Sequence, residues 1–144
     1  MRPAWIGLVA LLALVSGSTC RKAQDHRASM DEPVTLKQGQ WVSFAGRPLE
    51  IAFLRVLQDS RCPRNVQCIR QGDAVILLQA KSPDGGFDTI EARLPGNVAP
   101  TDTTVPWDVW GGYRFRLLQL DPYPVAGVEV DSSAYVATLL VRPS

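Results

Sequence analysis

From residue 33 onward, apolar and polar positions alternate with a period of two, the mark of strands that bury one face. Leu49, Ile51 and Phe53 share one side, and Ile90, Ala92 and Leu94 alternate against Thr89, Glu91 and Arg93. Tyr113, Phe115 and Leu117 alternate against Arg114 and Arg116, while Tyr135, Ala137, Leu139 and Val141 form the last set. Val34–Leu36 and Trp41–Phe44 are shorter runs parted by a turn at Gly39. Past Phe53 the phase changes, and Leu54 and Val56 continue on the other face, which predicts a bulge. Val75–Leu78 is apolar throughout, as a central strand covered on both faces would be. Ser82-Pro83-Asp84-Gly85-Gly86 is a strong turn signal, and no stretch keeps helical spacing over ten or more positions. The pattern predicts an all-β domain: an antiparallel immunoglobulin-like β-sandwich of about seven strands, with a small β-barrel as the alternative.

The N-terminal segment follows a different logic. Met1-Arg2-Pro3 is a short positive region, and Ala4–Val15 is an apolar run too short for the ~20 residues that span a bilayer. Ser16-Gly17-Ser18-Thr19-Cys20 supplies the small residues of a cleavage site. The predicted organisation is a signal peptide over 1–19, a polar tether over 20–32 and the all-β domain over 33–144. Two processing routes remain open. An ordinary signal peptidase could cut before Thr19 and leave a soluble periplasmic or secreted protein. Alternatively, Cys20 is lipidated, as in bacterial lipoproteins, which makes the chain a membrane-anchored protein of the cell envelope. Gly17 and Thr19 depart from the usual lipobox, but three cysteines in an exported chain leave one to be explained.

Charge narrows the partners. The formal net charge is +1, and removing a leader whose one basic residue is Arg2 balances the remaining basic and acidic residues. No electrostatic footprint for nucleic acid or an anionic membrane surface follows from such a balance. Arg61, Arg64 and Arg70 read as singly spaced surface arginines.

Cys62-Pro-Arg-Asn-Val-Gln-Cys68 lies between two predicted strands. In an oxidising compartment the pair is expected to close as a structural disulfide worth about 2 kcal/mol for so short a loop. A zinc site needs four ligands, and the one histidine, His26, lies in the tether. A redox dithiol would have C-x-x-C spacing, which is absent. The segment Asp59-Ser-Arg-Cys-Pro63, then Cys68, then Gly72-Asp-Ala74, resembles a group of uncharacterised bacterial exported proteins and lipoproteins with a D-S-R-C-P…C…G-x-A signature. The likeness reaches Leu36–Gln40, Asp121–Pro124 and Tyr135-Val136, and departs at Arg70, where such relatives often carry an aromatic. It implies an envelope β-domain and brings no activity, cofactor or metal.

No catalytic constellation is legible. Asp59, Asp73, Asp108 and Asp121 are available carboxylates, but Asp59 beside a disulfide loop reads as a turn or backbone cap. No P-loop, dinucleotide fingerprint or calcium loop is present. The long connection Pro95–Gly112 carries Trp107 and Trp110, which either anchor a protein or glycan partner or plug one end of the sandwich. Asp121-Pro-Tyr-Pro124 reads as a rigid corner. The expected function is a non-enzymatic structural or interaction domain of the envelope, with no cofactor, no metal and no nucleic-acid partner. The alternatives use the 95–112 loop: a carbohydrate binder, or an exported protease inhibitor of the chagasin-like kind, of whose motifs Thr103-Thr104 and Gly111-Gly112 are fragments.

Overall fold

The structure is a computed structural model that describes residues 26–82 and 84–144. The expected signal peptide, Cys20, the tether as far as residue 25 and Pro83 lie outside the described residues. Nine strands follow in order: β1 (Arg27–Ala28), β2 (Pro33–Lys37), β3 (Trp41–Phe44), β4 (Glu50–Asp59), β5 (Asp73–Lys81), β6 (Phe87–Pro95), β7 (Asp108–Trp110), β8 (Tyr113–Asp121) and β9 (Val136–Pro143). They build a five-stranded sheet, β1-β3-β4-β5-β6, facing a four-stranded sheet, β2-β9-β8-β7. This is an open β-sandwich, and not the barrel. All pairs are antiparallel except the short β1–β3 pair. Consecutive strands mostly stay within one sheet, whereas immunoglobulin domains divide theirs ABED against CFG.

The core forms where the two inner faces meet. Ile51, Phe53, Ile76, Leu78 and Ile90 from one sheet meet Leu36, Phe115, Leu117, Leu139 and Val141 from the other. Each such side chain, withdrawn from water, contributes roughly 1.5–3 kcal/mol. β5 is an interior strand of its sheet, paired on both sides with β4 and β6, as its continuous apolar run predicts. The bulge appears between Phe53 and Arg55, and a second register shift follows between Val56 and Gln58. Another shift, between Leu117 and Gln119, rotates β8 so that Leu120 rather than Gln119 reaches the core.

Two segments carry more structure than their composition suggests. Residues 27–31, expected in the tether, lie against the body: β1 pairs with β3, Asp31 N–H donates to the Val141 carbonyl, and Met30 packs on the core. Their polar side chains hide this, because the bonds that hold them come largely from the backbone. The 95–112 connection contains β7, joined to β8 by a Gly111-Gly112 hairpin with φ of 58° and 78°. Two successive positive φ values suit glycine at a two-residue hairpin turn. Val105, only 2% exposed, is the residue of this connection that fills the core.

Candidate functional site

Three places concentrate chemistry. The first is the end of the sandwich that holds the cysteine signature. β4 ends at Asp59, and its carboxylate receives both Nε and Nη2 of Arg61 at 2.8 and 2.7 Å. Arg61 is 3% exposed, so the expectation of a surface arginine is corrected. Its remaining donors reach the carbonyls of Leu120 at 2.7 Å and Pro122 at 3.3 Å, and the guanidinium lies 4.7 Å from the Tyr123 ring centre. Tyr135 donates its hydroxyl to the second Asp59 oxygen at 3.2 Å. Burial, with the Asp59 charge next in weight, pushes the Tyr135 phenol up, so it stays a proton donor. The pair therefore ties β4 in one sheet to the β8–β9 connection of the other, and Asp59 is chiefly the partner of a buried cation.

The rest of the signature serves the same join. Cys62 and Cys68 form the expected disulfide, with Cα atoms 5.9 Å apart, and Cys62 N–H donates to the Gln71 carbonyl. Ser60 hydroxyl donates to the Asp73 carbonyl at 3.0 Å. Gly72, at φ +64°, must be glycine because a Cβ there would fall 1.8 Å from the Ser60 carbonyl oxygen. Ala74 is fully buried. Asn65 completes the loop by bonding both Ala126 backbone groups, its Oδ1 accepting at 2.7 Å. Arg70, at the position where the resemblance breaks, is exposed.

Beside this join lies the second place, an open cleft of about 580 Å³. Its apolar walls include Leu94, Val98 and Leu118, and Arg64, Gln71 and Asn97 stand among its polar groups. Asp121 is the one carboxylate that lines it, bonded by the Gln119 amide. General acid–base chemistry on a sugar takes two carboxylates in opposed roles, and this cleft offers one.

The third place is the surface around the two tryptophans, which the structure separates. Trp110 packs on the core edge and donates its indole N–H to Asp88 at 3.2 Å. Trp107 lies outside the core. It stacks on the outer face of the four-stranded sheet, its ring centre 4.2 Å from the guanidinium of Arg116, 5.3 Å from Arg114 and 5.5 Å from Arg142. The expectation of two tryptophans plugging one end together thus holds for neither as a pair. Between them, Asp108 turns toward β6: burial pushes its carboxyl up, with Arg93 opposing and Glu91 adding to the rise. One of its oxygens is buried without a hydrogen-bond partner.

The arginine cluster is what sequence reading misses. Whole-chain charge is nearly balanced, but Arg114 and Arg142 face each other across β8 and β9, and Arg116 follows two residues on. The signal lay in the alternation itself, since the outward positions of the first half of β8, Arg114 and Arg116, are both arginine. Among the described residues, no group of three or more histidine, cysteine or carboxylate side chains is gathered as a metal would require. No helix among them is long and apolar enough to cross a membrane. The chain matches no protein-family model, no curated protein and no solved structure.

Proposed function

We propose that this protein is a non-catalytic interaction domain of the bacterial cell envelope, anchored by a lipid on Cys20 and binding through the outer face of its four-stranded sheet. The observation that carries this reading is the placement of Trp107. A large aromatic lies outside the core, over three guanidiniums, where it adds little to the packing between the sheets. Tryptophan and arginine are the residue types that most often dominate binding energy at interfaces. The non-catalytic part is supported by the fate of the carboxylates: Asp59 is committed to Arg61 and Tyr135, and Asp121 stands alone in its cleft.

The test compares Trp107→Ala with Trp110→Ala in the full chain carrying Cys20→Ser, so that no lipid holds it, measuring retention on isolated envelopes and melting temperature. Trp107→Ala should lose retention while melting close to the wild type, and Trp110→Ala should melt lower. Unchanged retention in Trp107→Ala, with a melting loss equal to that of Trp110→Ala, would make both residues structural and end this reading.

A further inference from the structure

Among the cleft, the exposed Trp41–Phe87 pair on the opposite sheet and the arginine face, the last gathers the most charge that the fold leaves unanswered; the cleft has Arg64 over Tyr123. β8 and β9 run antiparallel with Arg114 opposite Arg142, and both side chains stand on the outer face with Arg116. Like charges directly opposite one another destabilise a sheet. The available compensation is partial. Arg142 Nε meets Asp31 at 2.6 Å without hydrogen-bond alignment. Arg116 donates to the Thr103 carbonyl at 3.2 Å and feels the exposed carboxylate of Asp102. Arg114 makes no hydrogen bond or ion pair among the described residues, and its Nε is buried. Trp107 covers all three, so water cannot screen them fully.

We propose that Arg114, Arg116 and Arg142, closed on one side by Trp107, form a binding site for a phosphoryl group. The inference rests on the reading of this face as the binding face and names its ligand. Directly opposed side chains stand ~5 Å apart, and alternate residues along a strand ~7 Å apart. The three guanidiniums all lie within 5.5 Å of the Trp107 ring centre, so they form one patch that a single oxyanion at its edge can bridge. Three cations against one ion-paired carboxylate, Asp31, leave an excess of about two, which the exposed and water-screened Asp102 lowers only in part, and a phosphate monoester carries about −1.5 to −2 at neutral pH. Guanidinium forks fit such oxygens in pairs, and a tetrahedral group offers enough oxygens for more than one fork. A carboxylate would leave one arginine unanswered. The group arrives either as free phosphate or as the phosphomonoester of a lipid headgroup, and the chemistry of the site is the same for both.

The experiment titrates the full chain with inorganic phosphate at constant ionic strength, reading the Nε–H signals of the three arginines by NMR and the melting temperature. Saturable shifts confined to these signals are expected, with a rise in melting temperature that acetate and chloride do not reproduce. Arg114→Gln should fold, melt no lower than the wild type without phosphate, and bind phosphate roughly tenfold more weakly, as expected for losing a hydrogen bond to a charged group. Lys81→Gln, on the other sheet, should bind as the wild type does. Co-sedimentation of the full chain carrying Cys20→Ser with phosphatidic acid vesicles but not phosphatidylcholine vesicles, lost in Arg114→Gln, would assign the group to a headgroup. Saturation by phosphate without vesicle binding would assign it to the free ion. Linear, unsaturable shifts, or an equal response to acetate, would overturn the site. If retention on envelopes is nevertheless lost in Trp107→Ala, the binding face stands and only its phosphoryl ligand falls.

Discussion

A guanidinium withdrawn from water has to be answered inside the protein, and Asp59 answers Arg61 with both oxygens. Breaking such a pair leaves an unpaired buried charge, at a cost of about 3–5 kcal/mol. Asp59→Ala should lower unfolding free energy by that amount in denaturant titration. Adding Arg61→Met to it should recover part of the loss, because the stranded charge goes too. A double variant as unstable as the sum of the singles would show that the two residues act independently. The signature containing them is legible in the sequence, but its meaning is not. Arg61 lies in a polar stretch without periodicity, so nothing local announces burial. Only the return of residues 120–123, about sixty positions later, supplies the carbonyls and the ring that bury it.

At the scale of elements, alternation is a reliable guide wherever a strand has five or more residues with one wet face. β6 and β9 follow it throughout and β8 as far as Leu117, and the phase slip near Leu54 marks a real bulge. It fails for β1 and β7, which have two and three residues and so no period to read. β7 places Asp108 against β6, where burial disfavours the carboxylate. The unfolded chain ionises this group from about pH 4, whereas the native state holds its proton to higher pH. Over that interval the native state binds more protons, so its contribution to stability falls as pH rises through the raised native value. Asp108→Asn removes the titration. The variant should therefore gain melting temperature relative to the wild type between about pH 4 and about pH 7, with the difference shrinking at acid pH. A constant difference across that range would mean that Asp108 ionises as freely in the fold as out of it.

For the whole molecule, the class was legible because two inner faces need two sets of alternating strands, and the chain supplies them. The binding face was not legible, because a sum of charges carries no information about which side of a sheet each one occupies. The anchor is tested on the mature protein: mass spectrometry should find a diacylglycerol-sized addition on Cys20. An unmodified chain beginning at Thr19 would instead place the domain free in solution. The pairing of β2 with β9 has its own consequence, for timing. Thr35 and Thr138, whose hydroxyls bond, are 103 residues apart, and β2 has no other partner in its sheet. A chain that emerges N-terminus first carries β2 unpaired until β9 is out, and closing so long a loop is slow. The sandwich is thus completed last at the seam joining its first long-range strand to its final one. Until residues 136–143 arrive, the four-stranded sheet lacks the strand that joins β2 to β8, and the inner face of β3–β6 has no complete opposite layer to close on.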